Sequence, residues 1–337
     1  MAKYNIALLP GDGIGPEVVD ATITVMDALE KKTDIEFNYT TYMVGDAEKA
    51  RSGTALPQAT IDGVKAADAT LFACVGETAK ETILPLRQMF NLYVNLRPAK
   101  AYPGVPAVRP ETDLMIVREN TEGIYKMIGH RSEKSAFNVR VITYEASYNI
   151  VKYAMDYAVK NGKTKVTVVH KANVLDFTDG LFLEAARDAA KGYEGIEYRE
   201  LIVDAASMWL VMYPESFEVV VTTNMFGDIL SDVTAGLVGG LGMAPSGNVG
   251  DNICIFEPVH GSAPDIAGKG IANPSACMLS AAMMLEWLGE NEAAKLIEAA
   301  VLKVLVEGKT LTPDLKGKAN TKEFADRKST RLNSSHP

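Results

Sequence analysis

Cysteine is scarce: Cys74, Cys254 and Cys277 are the only three in 337 residues. Their odd number rules out a fully paired disulfide framework, and their wide separation in apolar surroundings rules out a thiol-rich zinc site, so buried thiols in a reducing compartment are expected. Basic clusters are missing too. With a net charge of −9 and no run of Lys or Arg, nucleic acid is excluded as the main partner, although a local positive pocket could still receive a small anion. The N-terminus lacks a signal pattern and no apolar run is long enough to span a bilayer, so no membrane partner is expected and the cytoplasm is the default location. Internal repeats and other low-complexity tracts are absent. What is present is the composition of an ordinary globular protein with room for about two domains.

Apolar runs and helical periods alternate along the chain. Tyr4 to Leu9 is a buried-strand pattern that empties into Pro10-Gly11-Asp12-Gly13-Ile14-Gly15-Pro16-Glu17 and then a helical period from Val18 to Leu29. Three glycines at such a turn invite comparison with the dinucleotide fingerprint, but the spacing is Gly-x-Gly-x-Gly and Pro16 fills the helix start, so a Rossmann domain is not supported. Further strands at about Ile35 to Val44 and Ala69 to Val75, with a helix after Pro57, predict a layered α/β domain. Asp113 to Val117 predicts a strand delivering Arg118 and, beyond it, Tyr125; Lys165 to Val169 delivers His170 and Lys171; Tyr198 to Val203 ends in Asp204. Strand C-terminal ends are where α/β sheets carry chemistry. A lysine just beyond a buried strand is a candidate base, whereas His170 reads as a core neighbour. His130 to Tyr144 predicts an exposed β excursion, Trp209 and the methionines near it read as core, and Gly239 to Gly247 reads as a hinge.

The chemically densest stretch is Thr222 to Asp232, which follows the apolar run Phe217 to Val221 and opens a small-residue helix. Asp228 and Asp232 are four apart and share one face, with about 5–6 Å between Cβ atoms, which suits chelation of one hard cation such as Mg²⁺ or Mn²⁺. The same spacing also fits Asp228 complementing the helix N-terminus and Asp232 facing water. Ile229, Leu230, Val233 and Leu237 are expected on the core side. Arg87, Arg97, Arg118 and Tyr125 gather at predicted strand and helix ends; each alone reads as a surface group, but as a set they suggest a di- or tricarboxylate pocket. Glu257 to Pro274 is a long loop rich in special-φ residues, whose backbone donors, His260 and Asp265 could hold a nucleotide.

Six motifs, Gly11 to Glu17, Asn95 to Pro98, Arg118 to Tyr125, His170 to Leu175, Thr222 to Asp232 and Glu257 to Pro274, together resemble the metal-dependent β-decarboxylating 2-hydroxyacid dehydrogenases. This is the family of 3-isopropylmalate, isocitrate and homoisocitrate dehydrogenases, and the resemblance runs to Asp326. It implies the α/β two-domain isocitrate/isopropylmalate dehydrogenase-like fold, with a twisted mixed sheet and an interdomain cleft. Residues 1–98 and 247–326 would form a discontinuous first domain on the cofactor side. Residues 99–246 would form the second, dimerising domain, with an arm at about 130–144. The chain would be a homodimer, or a tetramer, with shared active sites. The resemblance implies Arg87, Arg97 and Arg118 on the substrate carboxylates, with Ile83, Leu84 and Val174 beside them. It implies Mg²⁺ or Mn²⁺ on Asp228, Asp232 and the Asp204 of a second copy, that copy's Lys171 as base, and Tyr125 as acid. NAD would lie on His260, Gly261, Ser262, Ala263, Asp265, Ile266 and Asn273; an acid at Asp265 repels a 2′-phosphate, so NAD is expected over NADP.

Among the sibling substrates 3-isopropylmalate is expected, oxidised and decarboxylated to 2-oxo-4-methylpentanoate as in leucine biosynthesis. Ile83 and Leu84 stand four and three residues before Arg87, so a helix there would pair a guanidinium with an apolar patch. The third carboxylate of homoisocitrate or isocitrate would lack a partner on such a patch. D-malate or tartrate are smaller alternatives. A non-catalytic regulatory subunit is the alternative of another class, opposed by the intact Lys171, Tyr125 and aspartates. Finally, residues 327–337 have no helical period, break the apolar pattern in mid-helix and look like translated adapter sequence, so they are set aside from fold reasoning as a non-native tail.

Overall fold

The computed structural model describes residues 2–334. Among these residues twelve strands are formed: β1 (Ala2–Gly11), β2 (Ile35–Thr41), β3 (Ala69–Cys74), β4 (Val94–Lys100), β5 (Asp113–Glu119), β6 (Gly129–Arg131), β7 (Ala136–Asn138), β8 (Lys165–His170), β9 (Glu197–Ile202), β10 (Val219–Thr222), β11 (Pro245–Val249) and β12 (Cys254–Pro258). Ten of them make one mixed sheet in the order β2-β1-β3-β12-β11-β4-β5-β10-β8-β9. The two ends are parallel blocks, while β11 and β4 in the middle run antiparallel to their neighbours. Every residue of β3 and β10 is buried, as strands covered on both faces require. The family-like mixed sheet is therefore present, and it joins the N-terminal and middle parts of the chain without a break.

The covering helices are α1 (Gly15–Glu30), α2 (Asp46–Ser52), α3 (Gln58–Ala66), α4 (Ile83–Met89), α5 (Tyr144–Lys160), α6 (Asp176–Ala189), α7 (Val203–Met212), α8 (Asn224–Leu237), α9 (Ser275–Trp287), α10 (Asn291–Glu307) and α11 (Thr321–Ser334). α9 is apolar on all sides and almost wholly buried, which makes it an internal helix of the largest core cluster. The three cysteines are free and buried, and burial pushes each thiol up to about 12. No helix among the described residues is long and apolar enough to cross a membrane.

Four expectations need correction. Trp209 and its methionine neighbours are not core: Met208, Trp209, Val211 and Met212 are exposed on α7, whose inner face is held by Ala206 and Leu210. Ile229 is likewise exposed on α8. Apolar spacing predicts a face, but not whether this chain supplies the cover. Asp204 lies in the first turn of α7 rather than at a strand end. The C-terminal stretch, read as lacking a helical period, is helical: α11 continues through Ser334 with Lys328 and Leu332 fully buried; residues 335–337 lie outside the described part.

Candidate active site

The site is assembled where β4 and β5 meet α8. β5 ends in Arg118, whose side chain lies across α8; a Cβ on Gly227 would come within 2.5 Å of Arg118 Cγ, so that helix position must be bare. Arg118 donates through Nε and Nη2 to Asn224 Oδ1 at 3.1 and 2.7 Å, and through Nη1 to Asp228 Oδ1 at 2.5 Å. The other oxygen of Asp228 accepts from the Tyr125 hydroxyl at 2.7 Å. One helical turn on, Asp232 Oδ1 stands 3.9 Å from Arg97 Nη1. The two aspartates share a face, as their spacing predicts.

Arg97 on β4 and Arg87 on α4 complete a group of three buried guanidinium groups. Arg97 donates to Asn95 Oδ1 at 2.7 Å, and Arg87 donates to Glu257 Oε1 at 2.8 Å. Burial, followed by the charge of Arg97, brings Arg118 down to about 10. Burial and then Arg87 lower Arg97 in the same way. Burial acts to raise Asp228, but the Arg118 charge and the Tyr125 hydrogen bond outweigh it and hold the carboxyl below its usual range. Asp232 is raised by burial despite Arg97, and Tyr125 is raised mainly by burial. Arg87 Nε is buried without a hydrogen-bond partner. Crowded like charges with an unused donor among them are a site organised for an anion, and two carboxylates one turn apart fit a hard divalent cation.

Lys171 and Asp204 meet each other, Nζ to Oδ1 at 2.5 Å, and not Asp228 or Asp232. Within the chain the Lys171 side chain is 27 % exposed and that of Asp204 67 %. Val174, in the same turn, is 66 % exposed. Among the described residues no group of three or more His, Cys, Asp or Glu converges within one chain. His170 accepts at Nδ1 from the Ala172 amide at 3.1 Å and burial lowers it, which makes it a neutral support of this turn.

The apolar patch beside Arg87 is smaller than expected. Ile83 packs into a core cluster with Leu9, Val44, Phe72 and Leu86, because α4 begins at Ile83 and carries Pro85 in its first turn, which turns Ile83 inward. Leu84 stays half-buried. Residues missed by the motif reading are polar and internal. Asn248 donates to Glu257 at 2.7 Å and accepts from Asn95 and Asn120 at 3.0 Å each, fixing the carboxylate that holds Arg87. The only sequence signal for them is their place inside or beside the quoted motifs.

The loop from Glu257 to Pro274 is tied at both ends to the glycine turn and the helix start after it. Ile14 N donates to Ser262 O at 2.9 Å, and a Cβ on Gly13 would lie 1.9 Å from that oxygen. The turn therefore packs against the loop instead of cradling a phosphate. Glu17 accepts from the Ala272 amide at 2.9 Å at the far end. Asn273 is committed to Asp314 through Nδ2 and to the Ser275 amide through Oδ1. His260 bonds Gly261 O through Nδ1, is kept neutral by burial, and leaves Nε2 without a partner. Ile266 donates back to Ala263 O, and Asp265 is exposed on the rim.

Known proteins share the sequence and fold of this chain over nearly its whole length. The profile of the family described as isocitrate/isopropylmalate dehydrogenase matches residues 5–327. A 3-isopropylmalate dehydrogenase of Archaeoglobus fulgidus is 49 % identical, with 96 % of this chain and 97 % of the relative covered. An isocitrate/homoisocitrate dehydrogenase of Thermus thermophilus is 47 % identical with the same coverage. The crystal structure of isocitrate dehydrogenase from Methylococcus capsulatus superposes with a TM-score of 0.94 at 44 % identity, covering 99 % of this chain and 100 % of the other.

Proposed function

We propose that this chain, which belongs to the isocitrate/isopropylmalate dehydrogenase family, carries out the NAD-dependent oxidative decarboxylation of 3-isopropylmalate. The observation that carries the reading is the convergence of Arg87, Arg97 and Arg118 beside Asp228, Asp232 and Tyr125. Three cations match a substrate with two carboxylates near a metal-ligating pair. Arg87, Arg97 and Arg118 would bind and orient the two carboxylates. Asp228 and Asp232, with Asp204 of a second copy, would hold Mg²⁺ or Mn²⁺, which supplies Lewis acidity at the C1 carboxylate and C2 hydroxyl.

Lys171 of that second copy would take the hydroxyl proton, and bound NAD⁺ would supply the acceptor for the C2 hydride, so that a 2-oxo acid is left. The bond from C3 to its carboxylate then breaks, CO₂ departs, and the electron pair left at C3 is protonated from Tyr125. Within a single chain the Lys171–Asp204 pair meets neither Asp228 nor Asp232, and the apolar faces of α7 and of Ile229 are exposed. Both observations support a homodimer in which each copy completes the other's site. The exposed β6–β7 hairpin, with Phe137 at its surface, suits an interlocking arm.

His260 Nε2 and the backbone of residues 261–266 would receive the adenosine half of NAD, with Asp265 on its ribose. The substrate reading rests on Leu84, now that Ile83 is taken by the core. Homoisocitrate or isocitrate is the second reading, favoured by the similarity to the Thermus and Methylococcus enzymes. A panel of 3-isopropylmalate, homoisocitrate, isocitrate, D-malate and tartrate with NAD and Mg²⁺ decides between them. Turnover of none of them would leave the regulatory-subunit reading.

A further inference from the structure

Arg140 leads the chain from the β6–β7 hairpin back toward α5, and it does more than close that excursion. Its guanidinium donates to Asp179, a fully buried carboxylate on α6. It also donates to the Thr178 hydroxyl at 3.2 Å and to Thr223 Oγ1 at 2.9 Å. It lies 5.0 Å over the ring of Phe226 as well. Thr223 is the residue immediately before α8, the helix of Asp228 and Asp232. The second oxygen of Asp179 accepts from the backbone amide of Lys171 at 2.6 Å. The turn that follows is closed by Val174 N and Leu175 N on Lys171 O, and by Asp179 N on Leu175 O at 2.7 Å. One ion pair thus spans three elements: the root of the hairpin, the start of the aspartate helix, and the turn that carries the base.

We infer that Arg140 is a positioning residue for Lys171, acting through Asp179 and referenced to α8 through Thr223. A buried carboxylate that uses one oxygen on a guanidinium and the other on a backbone amide fixes that amide in space far better than a lone turn would. The inference rests on the shared-site reading. There Lys171 serves the other copy, so Arg140 sets the lysine of one site while anchored on the aspartate helix of the other. Its loss should therefore be felt in the site that receives the lysine, and not in the site built on its own Asp228.

The test is a dimer with one working site, made from a Lys171→Met chain, which gives the aspartates, and an Asp228→Asn chain, which gives the lysine. Arg140→Gln is placed in one chain or the other. In the lysine-giving chain it should cut kcat by about 100-fold, the scale of a displaced catalytic group, with KM for substrate changed only a few-fold. In the aspartate-giving chain kcat should stay close to the parent value. Asp179→Asn should reproduce the asymmetry, and Arg140→Lys should restore part of the activity. Equal losses in both placements, which is what a purely structural role produces, would overturn the inference. A parent dimer that is inactive after verified subunit exchange would instead remove the shared site itself, and this inference with it.

Discussion

Tyr125 donates its hydroxyl to Asp228 Oδ2 at 2.7 Å while Arg118 holds Oδ1 of the same carboxylate at 2.5 Å. In the proposed mechanism one side chain thus locates a metal oxygen, the acid and a substrate cation together. Asp228→Asn keeps the shape and removes the charge. It should lower kcat by at least about 100-fold and abolish the response to added Mg²⁺, with an unchanged circular dichroism spectrum. Chelator-insensitive activity in the variant would remove the metal assignment.

Lys171→Met and Tyr125→Phe should separate the two chemical stages. The lysine variant should lose hydride transfer, read as NADH formation in a single turnover. The tyrosine variant should lose more in decarboxylation and protonation, read as product formed from the 2-oxo intermediate supplied directly. A native rate of NADH formation by Lys171→Met would require another base.

Asp265 stands exposed on the loop proposed to hold the cofactor. A carboxylate there would meet the ribose hydroxyls and oppose a 2′-phosphate, and like charges in apposition cost several kcal/mol, so NAD should exceed NADP by at least about 100-fold in kcat/KM. Comparable values for the two cofactors would refute the assignment.

Leu84 is half-buried in the helix of Arg87 while Ile83 faces the core. Leu84→Arg should move the kcat/KM ratio from 3-isopropylmalate toward homoisocitrate by about 100-fold, because it gives the third carboxylate a partner and removes the apolar patch. If the native protein already prefers homoisocitrate or isocitrate, Leu84 is not the determinant.

Lys328 is fully buried in α11, with its ammonium on Ser275 Oγ at 2.9 Å and 3.8 Å from the centre of the Phe324 ring. Burial lowers its pKa well below the usual lysine value. The folded chain therefore binds this proton less readily than the unfolded chain, unfolding takes a proton up, and stability from this residue rises with pH toward its unfolded value of about 10.4. Lys328→Met should raise Tm at neutral pH by a few degrees and flatten that rise. An unaltered Tm and pH slope would show that the ammonium reaches water.

Much of the site was readable along the chain because its groups sit in local patterns. Asp228 and Asp232 are four apart on one helix, and Arg118 follows a strand pattern that needs no knowledge of its neighbours. The network of Asn95, Asn120, Asn248 and Glu257 was not readable, because its members come from separate strands and their burial arises only when β4 and β11 pair. Trp209 and Met208 misled for the opposite reason: helical spacing marks an apolar face without saying which molecule covers it.

The sequence by itself determined the alternation of strands and helices, the carboxylate face of α8, the basic residues that end up beside it, and the departure of the glycine turn from a phosphate-binding pattern. These depend on residue type and on spacing along one element. Only the tertiary structure decided that β11 returns to pair with β4 and carry the sheet from one half of the chain to the other. It also decided that Ile83 turns inward while Leu84 does not, that Lys171 pairs with Asp204 rather than with the aspartates of α8, and that Arg140 ties the lysine turn to that helix. Each of these depends on which groups from distant segments meet in space, a property of the packed chain that no local pattern encodes.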